Sequence, residues 1–113
     1  MTDQMYLRRW QRDAHRALGE FLRVDGLPAV TWTIPVSGAL VADVDSLTST
    51  PDEQRSAFAA WARHLGADVM PERTDSGGTV HLYAKFSWRG QGVRAAVRGA
   101  IRASIYPPME DDR

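Results

Sequence analysis

The stretch "GVRAAVRGAIRASIYPP", residues 92–108, places Arg94, Arg98 and Arg102 four positions apart. As a helix it would carry a basic stripe beside Val93, Val97, Ile101 and Ile105. As a strand it would put the arginines on one face, roughly 13 Å apart in succession at about 3.3 Å per residue. The preceding segment decides between them. "TVHLYAKFSW", residues 79–88, alternates Val80, Leu82, Ala84, Phe86 and Trp88 with Thr79, His81, Tyr83, Lys85 and Ser87, and turn residues "RGQG" follow. A two-residue turn at Gly90-Gln91 pairs Trp88 with Val93, Phe86 with Ala95, Ala84 with Val97, Leu82 with Gly99 and Val80 with Ile101. Every pair on that face is apolar, and large side chains meet small ones. A helix would explain none of this matching and would cost about 1 kcal/mol at Gly99. The segment is therefore expected to be a strand over 93–106, with Tyr83 opposite Arg98.

The first half of the chain reads similarly. Leu7, Trp10, Ala14, Leu18 and Phe21 recur at helical spacing over residues 3–24, with Thr2 or Asp3 as cap and Gly26 and Pro28 as the stop. Arg9, Arg12, Asp13, Arg16 and Glu20 form the opposite, solvated face. Val30, Trp32 and Ile34 then alternate with threonines, and "VSG" reads as a three-residue hairpin loop with Gly38 left-handed. Ile34 should face Leu40, Trp32 Ala42 and Val30 Val44, while Thr31 meets Asp43. Pro35 marks this strand, expected over 29–36 beside a partner over 39–45, as an edge.

"TPDEQRSAFAAWARHLG", residues 50–66, predicts a second helix. Thr50 is its N-cap, Pro51 its first residue and Glu53 the third corner of a capping box. Phe58, Trp61, Ala62 and Leu65 make its buried stripe, and Gly66 ends it. Residues 67–78 read as a polar connection. Together these elements predict an α+β two-layer sandwich of order α-β-β-α-β-β, a four-stranded, mostly antiparallel sheet with two helices on one face. Its core should contain Trp10, Phe21, Trp32, Phe58, Trp61, Leu82, Phe86 and Ile101. One domain over 1–106 and a flexible acidic tail over 107–113, "PPMEDDR", account for the chain.

Composition narrows function mainly by exclusion. Fourteen basic residues balance fourteen acidic ones, so the whole molecule exerts no net pull on DNA or an anionic membrane. With no cysteine there are no disulfides, thiolate zinc sites or cysteine nucleophiles. No apolar run resembles a signal peptide or a membrane span, so a cytoplasmic location is expected. Lys85 is the only lysine among the fourteen basic residues. That bias accompanies high-GC coding, so abundant arginine here is not by itself a sign of nucleic-acid binding.

His15, His64 and His81 lack ligand-like spacing, and no HExxH, glycine-rich phosphate loop or GxSxG setting occurs. No catalytic residue, metal site or cofactor is expected. Asp43 and Asp45 should both point to the open sheet face, toward arginines of another strand or solvent. His81, Tyr83, Lys85, Arg94, Arg98 and Arg102 make up the candidate interaction face. The expected function is a non-enzymatic protein-interaction or regulatory adaptor domain, self-associating as a homo-oligomer. The rival is a nucleic-acid-binding surface on the Arg94/Arg98/Arg102 strand, since single-strand binders combine basic grooves with exposed aromatics.

Two resemblances accompany these readings. "LPAVTWTI", "PDEQRSAFAAWARHLGAD" and "PERTDSGGTVHLYAKF" are similar to uncharacterised small proteins of high-GC actinobacterial chromosomes and mobile elements, which have no assigned function. The α-β-β-α-β-β order is similar to half of a LAGLIDADG homing endonuclease. "LGEFLRVDG", residues 18–26, resembles that motif, which implies a metal-binding role for Asp25. Glu20 and Arg23 depart from the pattern, because that motif needs residues that let two helices pack closely.

Overall fold

The computed structural model of the protein describes residues 3–89 and 96–108. Helix α1 spans Asp3–Leu22 and α2 spans Pro51–Leu65. The strands are β1 (Thr31–Thr33), β2 (Leu40–Asp43), β3 (Asp68–Val69), β4 (Arg73–Thr74), β5 (Val80–Trp88) and β6 (Val97–Ile105). They form one mixed sheet in the order β1-β2-β6-β5-β3, with β4 also pairing β5. No helix among the described residues is long and apolar enough to cross a membrane.

Local chemistry explains the best-defined elements. Thr50 Oγ1 accepts the Glu53 N–H at 3.1 Å, and Glu53 Oε1 accepts the Thr50 N–H at 2.8 Å, completing the capping box of α2. Gly66 closes that helix in the left-handed conformation, φ 61°. The first hairpin has the expected register, Thr31 opposite Asp43 and Trp32 opposite Ala42. Gly38 turns it with φ 79°, and a Cβ there would lie 2.5 Å from Trp10 Cβ. Glycine is thus required twice over, for the turn and for the approach of α1.

Both helices cover one sheet face. Ala14 and Ala17 on α1 are fully buried, and their small size lets the helix approach the strands. Phe21 is the centre of the core: its ring lies 5.4 Å from that of Trp32, 5.9 Å from Phe86 and 6.5 Å from Trp61. Phe58, Trp61 and Ala62 on α2 pack against the same cluster, beside Leu82, Ile101 and Ile105. Trp61 also donates its indole N–H to the Pro28 carbonyl at 2.7 Å.

Four expectations require correction. The sheet has six strands rather than four, and β2 runs parallel to β6, Leu40 opposite Gly99 and Asp43 opposite Arg102. The extra strands β3 and β4 are two-residue pairings with β5, inside the segment expected to be a plain connection. The ladders are also shorter than expected: β1 and β2 stop well inside 29–36 and 39–45.

The second hairpin is displaced by four residues: Trp88 pairs with Val97, Phe86 with Gly99 and Tyr83 with Arg102. Trp88–Val93, Phe86–Ala95 and Tyr83–Arg98 are therefore not partners. Val93, Arg94, Ala95 and the turn at 90–91 lie outside the described residues. An even displacement keeps every side chain on its expected face, so alternation alone could not detect it. What selects the observed register is space: a Cβ on Gly99 would lie 2.4 Å from Phe86 Cζ and 2.5 Å from the Leu40 carbonyl oxygen. Only glycine lets β6 fit between β2 and the Phe86 ring.

Trp10 is the fourth correction. It remains 46% exposed, on the part of α1 that passes over Gly38 in the loop between β1 and β2. Trp32 is half-buried, and the other expected core residues are buried.

Because Trp61 joins α2 to the core by packing and by a hydrogen bond, Trp61→Ala should cost about 3–5 kcal/mol, the range of large core truncations. Denaturant unfolding measures this. A loss under about 1 kcal/mol would show that α2 is not held as described.

Candidate functional site

The face not covered by helices is ordered by register. One row crosses four strands: Thr31, Asp43, Arg102, Tyr83. A second crosses five: Thr33, Val41, Ala100, Lys85, Asp68. Ala100 is buried although it points away from the core, because Val41 and Lys85 flank it. The second row therefore has a small apolar floor, with Thr33 at one end and the charged Lys85 and Asp68 at the other.

Arg102 grips Asp43 with both arms of its guanidinium. Nε donates to Oδ1 at 3.0 Å and Nη2 donates to Oδ2 at 3.1 Å. That two-pronged geometry is the strong form of an arginine–carboxylate pair, and hydrogen bonding to Asp43 raises the Arg102 pKa above its ordinary value. The parallel β2–β6 pairing creates the contact, since it brings position 43 beside position 102. Both side chains stay largely exposed, so the pair orients groups on the face more than it stabilises the fold.

Of the six expected face residues, the structure brings His81, Tyr83, Lys85, Arg98 and Arg102 onto this surface. Arg94 lies outside the described residues. Tyr83 is 38% exposed and stands beside Arg102, and Lys85 stands opposite Asp68. Asp45 is not on the sheet face. Its carboxylate accepts the Leu47 N–H at 2.9 Å and the Thr48 hydroxyl, organising the loop before α2. Asp25 sits in an exposed turn after α1. Among the described residues no three histidine or acidic side chains converge as a metal site.

A cavity of about 570 Å³ lies at one end of the face, lined by Asp43, Arg73, His81, Tyr83, Arg102 and Ser104 among others. His81 is clasped at its rim. Its Nε2–H donates to Asp75 Oδ2 at 2.9 Å, which leaves Nδ1 to accept from the Ser104 hydroxyl at 3.5 Å. Asp75 Oδ1 meanwhile accepts the N–H groups of Gly77 and Thr79, fixing the β4–β5 turn. Aspartate, histidine and serine in a chain echo a nucleophilic triad. The serine contact, however, is well beyond the roughly 2.7–2.8 Å typical of hydroxyl donors. This cluster was hidden by the register: Ser104 faces His81 only in the pairing that Gly99 imposes.

No protein-family model, curated protein or solved structure matches the chain.

The hydrogen bond from His81, and then the Thr79 N–H, hold the Asp75 carboxyl below its ordinary 3.8, outweighing slight desolvation. The unfolded chain then takes up this proton at a higher pH than the folded one. The contribution to stability is complete above the ordinary value and is lost as pH falls through the folded value. Asp75→Asn should therefore flatten the acid limb of a stability–pH curve below about pH 4. Parallel curves for the two proteins in urea unfolding would exclude this role.

Proposed function

We propose that the chain is a non-enzymatic protein-interaction module, an adaptor or regulator that self-associates through its open sheet face. The observation that carries this reading is the charge balance of the face. Arg102 is forked to Asp43, Lys85 faces Asp68, and His81 is bonded to Asp75. A phosphate backbone attracts uncompensated cations, whereas a mosaic of both signs suits a protein surface.

The same mosaic is self-complementary. Across a two-fold axis, Lys85 and Arg98 of one copy can meet Asp43 and Asp68 of the other. Dimensions support the reading: β5 and β6, nine residues each, run about 30 Å, and five strands span about 19 Å. That is of the order of the roughly 800 Å² a partner contributes to a standard interface. Edge-to-edge extension has less support, because the outer strands are three and two residues long.

Light scattering tests this reading. The protein should show about twice the 12.6 kDa of one chain at tens of micromolar, and Tyr83→Ser with Lys85→Glu should return it to one chain. Monomeric mass throughout would contradict the proposal, as would oligonucleotide binding that weakens steeply with salt. A burst of p-nitrophenol from an activated ester, lost in Ser104→Ala, would assign catalysis to the Asp75–His81–Ser104 chain instead.

A further inference from the structure

The helix-covered side of the sheet is left open along one edge. Val69 on β3 pairs with Ala84 on β5, so the two side chains share the core face. Ala84 is fully buried there, yet Val69 is 56% exposed. α2 lies over β5 and β6 and leaves Val69 uncovered. The gap between helix and edge is a cavity of about 390 Å³, within the range of small-molecule sites.

The floor of this cavity is apolar. Phe58, Ala62 and Leu82 reach it from the core, and Val69 and Met70 form its outer wall. Its mouth is basic. Arg55, Ala59 and Arg63 recur at steps of four on α2, so the small alanine lies between two arginines in one row. Arg55 is bonded to Glu72, which ties α2 to the chain between β3 and β4. Arg63 lines the same cavity and makes no ion pair among the described residues. Its place in the last turn of α2 suits the helix dipole, but that interaction leaves its hydrogen-bond donors unused.

We infer that this cavity binds a small apolar monocarboxylate, with its hydrocarbon body over Phe58, Ala62 and Leu82 and its carboxylate on Arg63. The walls select the body, since they offer it a surface already shielded from water. Arg63 selects the head, because a guanidinium takes a carboxylate with two parallel hydrogen bonds. Glu72 limits the ligand to one charge. It occupies Arg55 at the other end of the row and would repel a second carboxylate there. The site is built from α2, β3 and the segment after it, so it neither uses the charge pairs of the open face nor requires self-association.

Amide NMR of the whole protein, titrated with octanoate below the concentration at which it forms micelles, tests the inference. The amides of Phe58, Ala62, Val69 and Met70 should shift saturably. Acetate, which has the charge without the tail, should leave them in place, and 1-octanol, which has the tail without the charge, should bind more weakly than octanoate. Arg63→Gln should weaken octanoate about two- to fivefold, as for an ion pair at a solvated rim, and leave octanol unchanged. Ala59→Trp, which fills the mouth from an exposed helix position, should weaken both about tenfold. Dispersed spectra of the two variants show that each still folds. Octanoate that shifts no cavity amide would overturn the inference. So would equal binding of octanoate and octanol, or octanoate binding that survives Arg63→Gln undiminished, since either would leave an apolar cleft with no carboxylate site.

Discussion

The contact between Gly99, the Phe86 ring and the Leu40 carbonyl sets the rest of the molecule. β6 is the strand on which both hairpins meet, antiparallel to β5 and parallel to β2. At its third residue it must pass under an aromatic ring and beside a neighbouring backbone, with less than 3 Å for any Cβ. That single vacancy chooses one register among several that keep the same faces. From it follow the Asp43–Arg102 fork, the position of Tyr83 and the meeting of His81 with Ser104.

The core side depends on the same placement. With Phe86 over Gly99, its ring reaches Phe21, and Phe21 in turn touches Trp32, Trp61 and Trp88. Aromatic rings at edge and tilted angles fill the gap between helices and sheet and favour a defined geometry. The helices are therefore confined to one side. The other side is left as a platform on which Arg102 is forked to Asp43 across strands and Lys85 stands opposite Asp68, with a cavity where β4 and the end of β6 come together.

Much of this was legible in residues with local consequences. The Thr50–Glu53 capping box, the Gly38 hairpin and the inward set Leu82, Ala84, Phe86 could be read directly, because each depends on neighbours along the chain. The face membership of His81, Tyr83, Lys85, Arg98 and Arg102 was legible for the same reason. What stayed hidden was non-local. Nothing near residue 40 announces that β2 will run parallel to β6, and β3 and β4 are too short and polar to show a period. The turn residues at 89–92 pointed to a tight hairpin, and a displacement of four residues preserved every apolar match by parity. Glycine inside the predicted strand was the available signal, since an interior strand glycine often marks close backbone approach. Asp75, legible only as part of the polar connection over 67–78, reaches His81 through the β4–β5 pairing, and β4 is too short to show a period.

The most direct measurement of this account is the stability of Gly99→Ala. Gly99 does not have positive φ, so alanine fits its backbone. Reduced freedom of the unfolded chain alone would then stabilise the protein by about 0.4–1 kcal/mol. The close approach of Phe86 and Leu40 reverses that sign, and a destabilisation of about 1–3 kcal/mol in urea unfolding is expected. A variant as stable as the parent, or more so, would contradict the register on which both faces of the sheet depend.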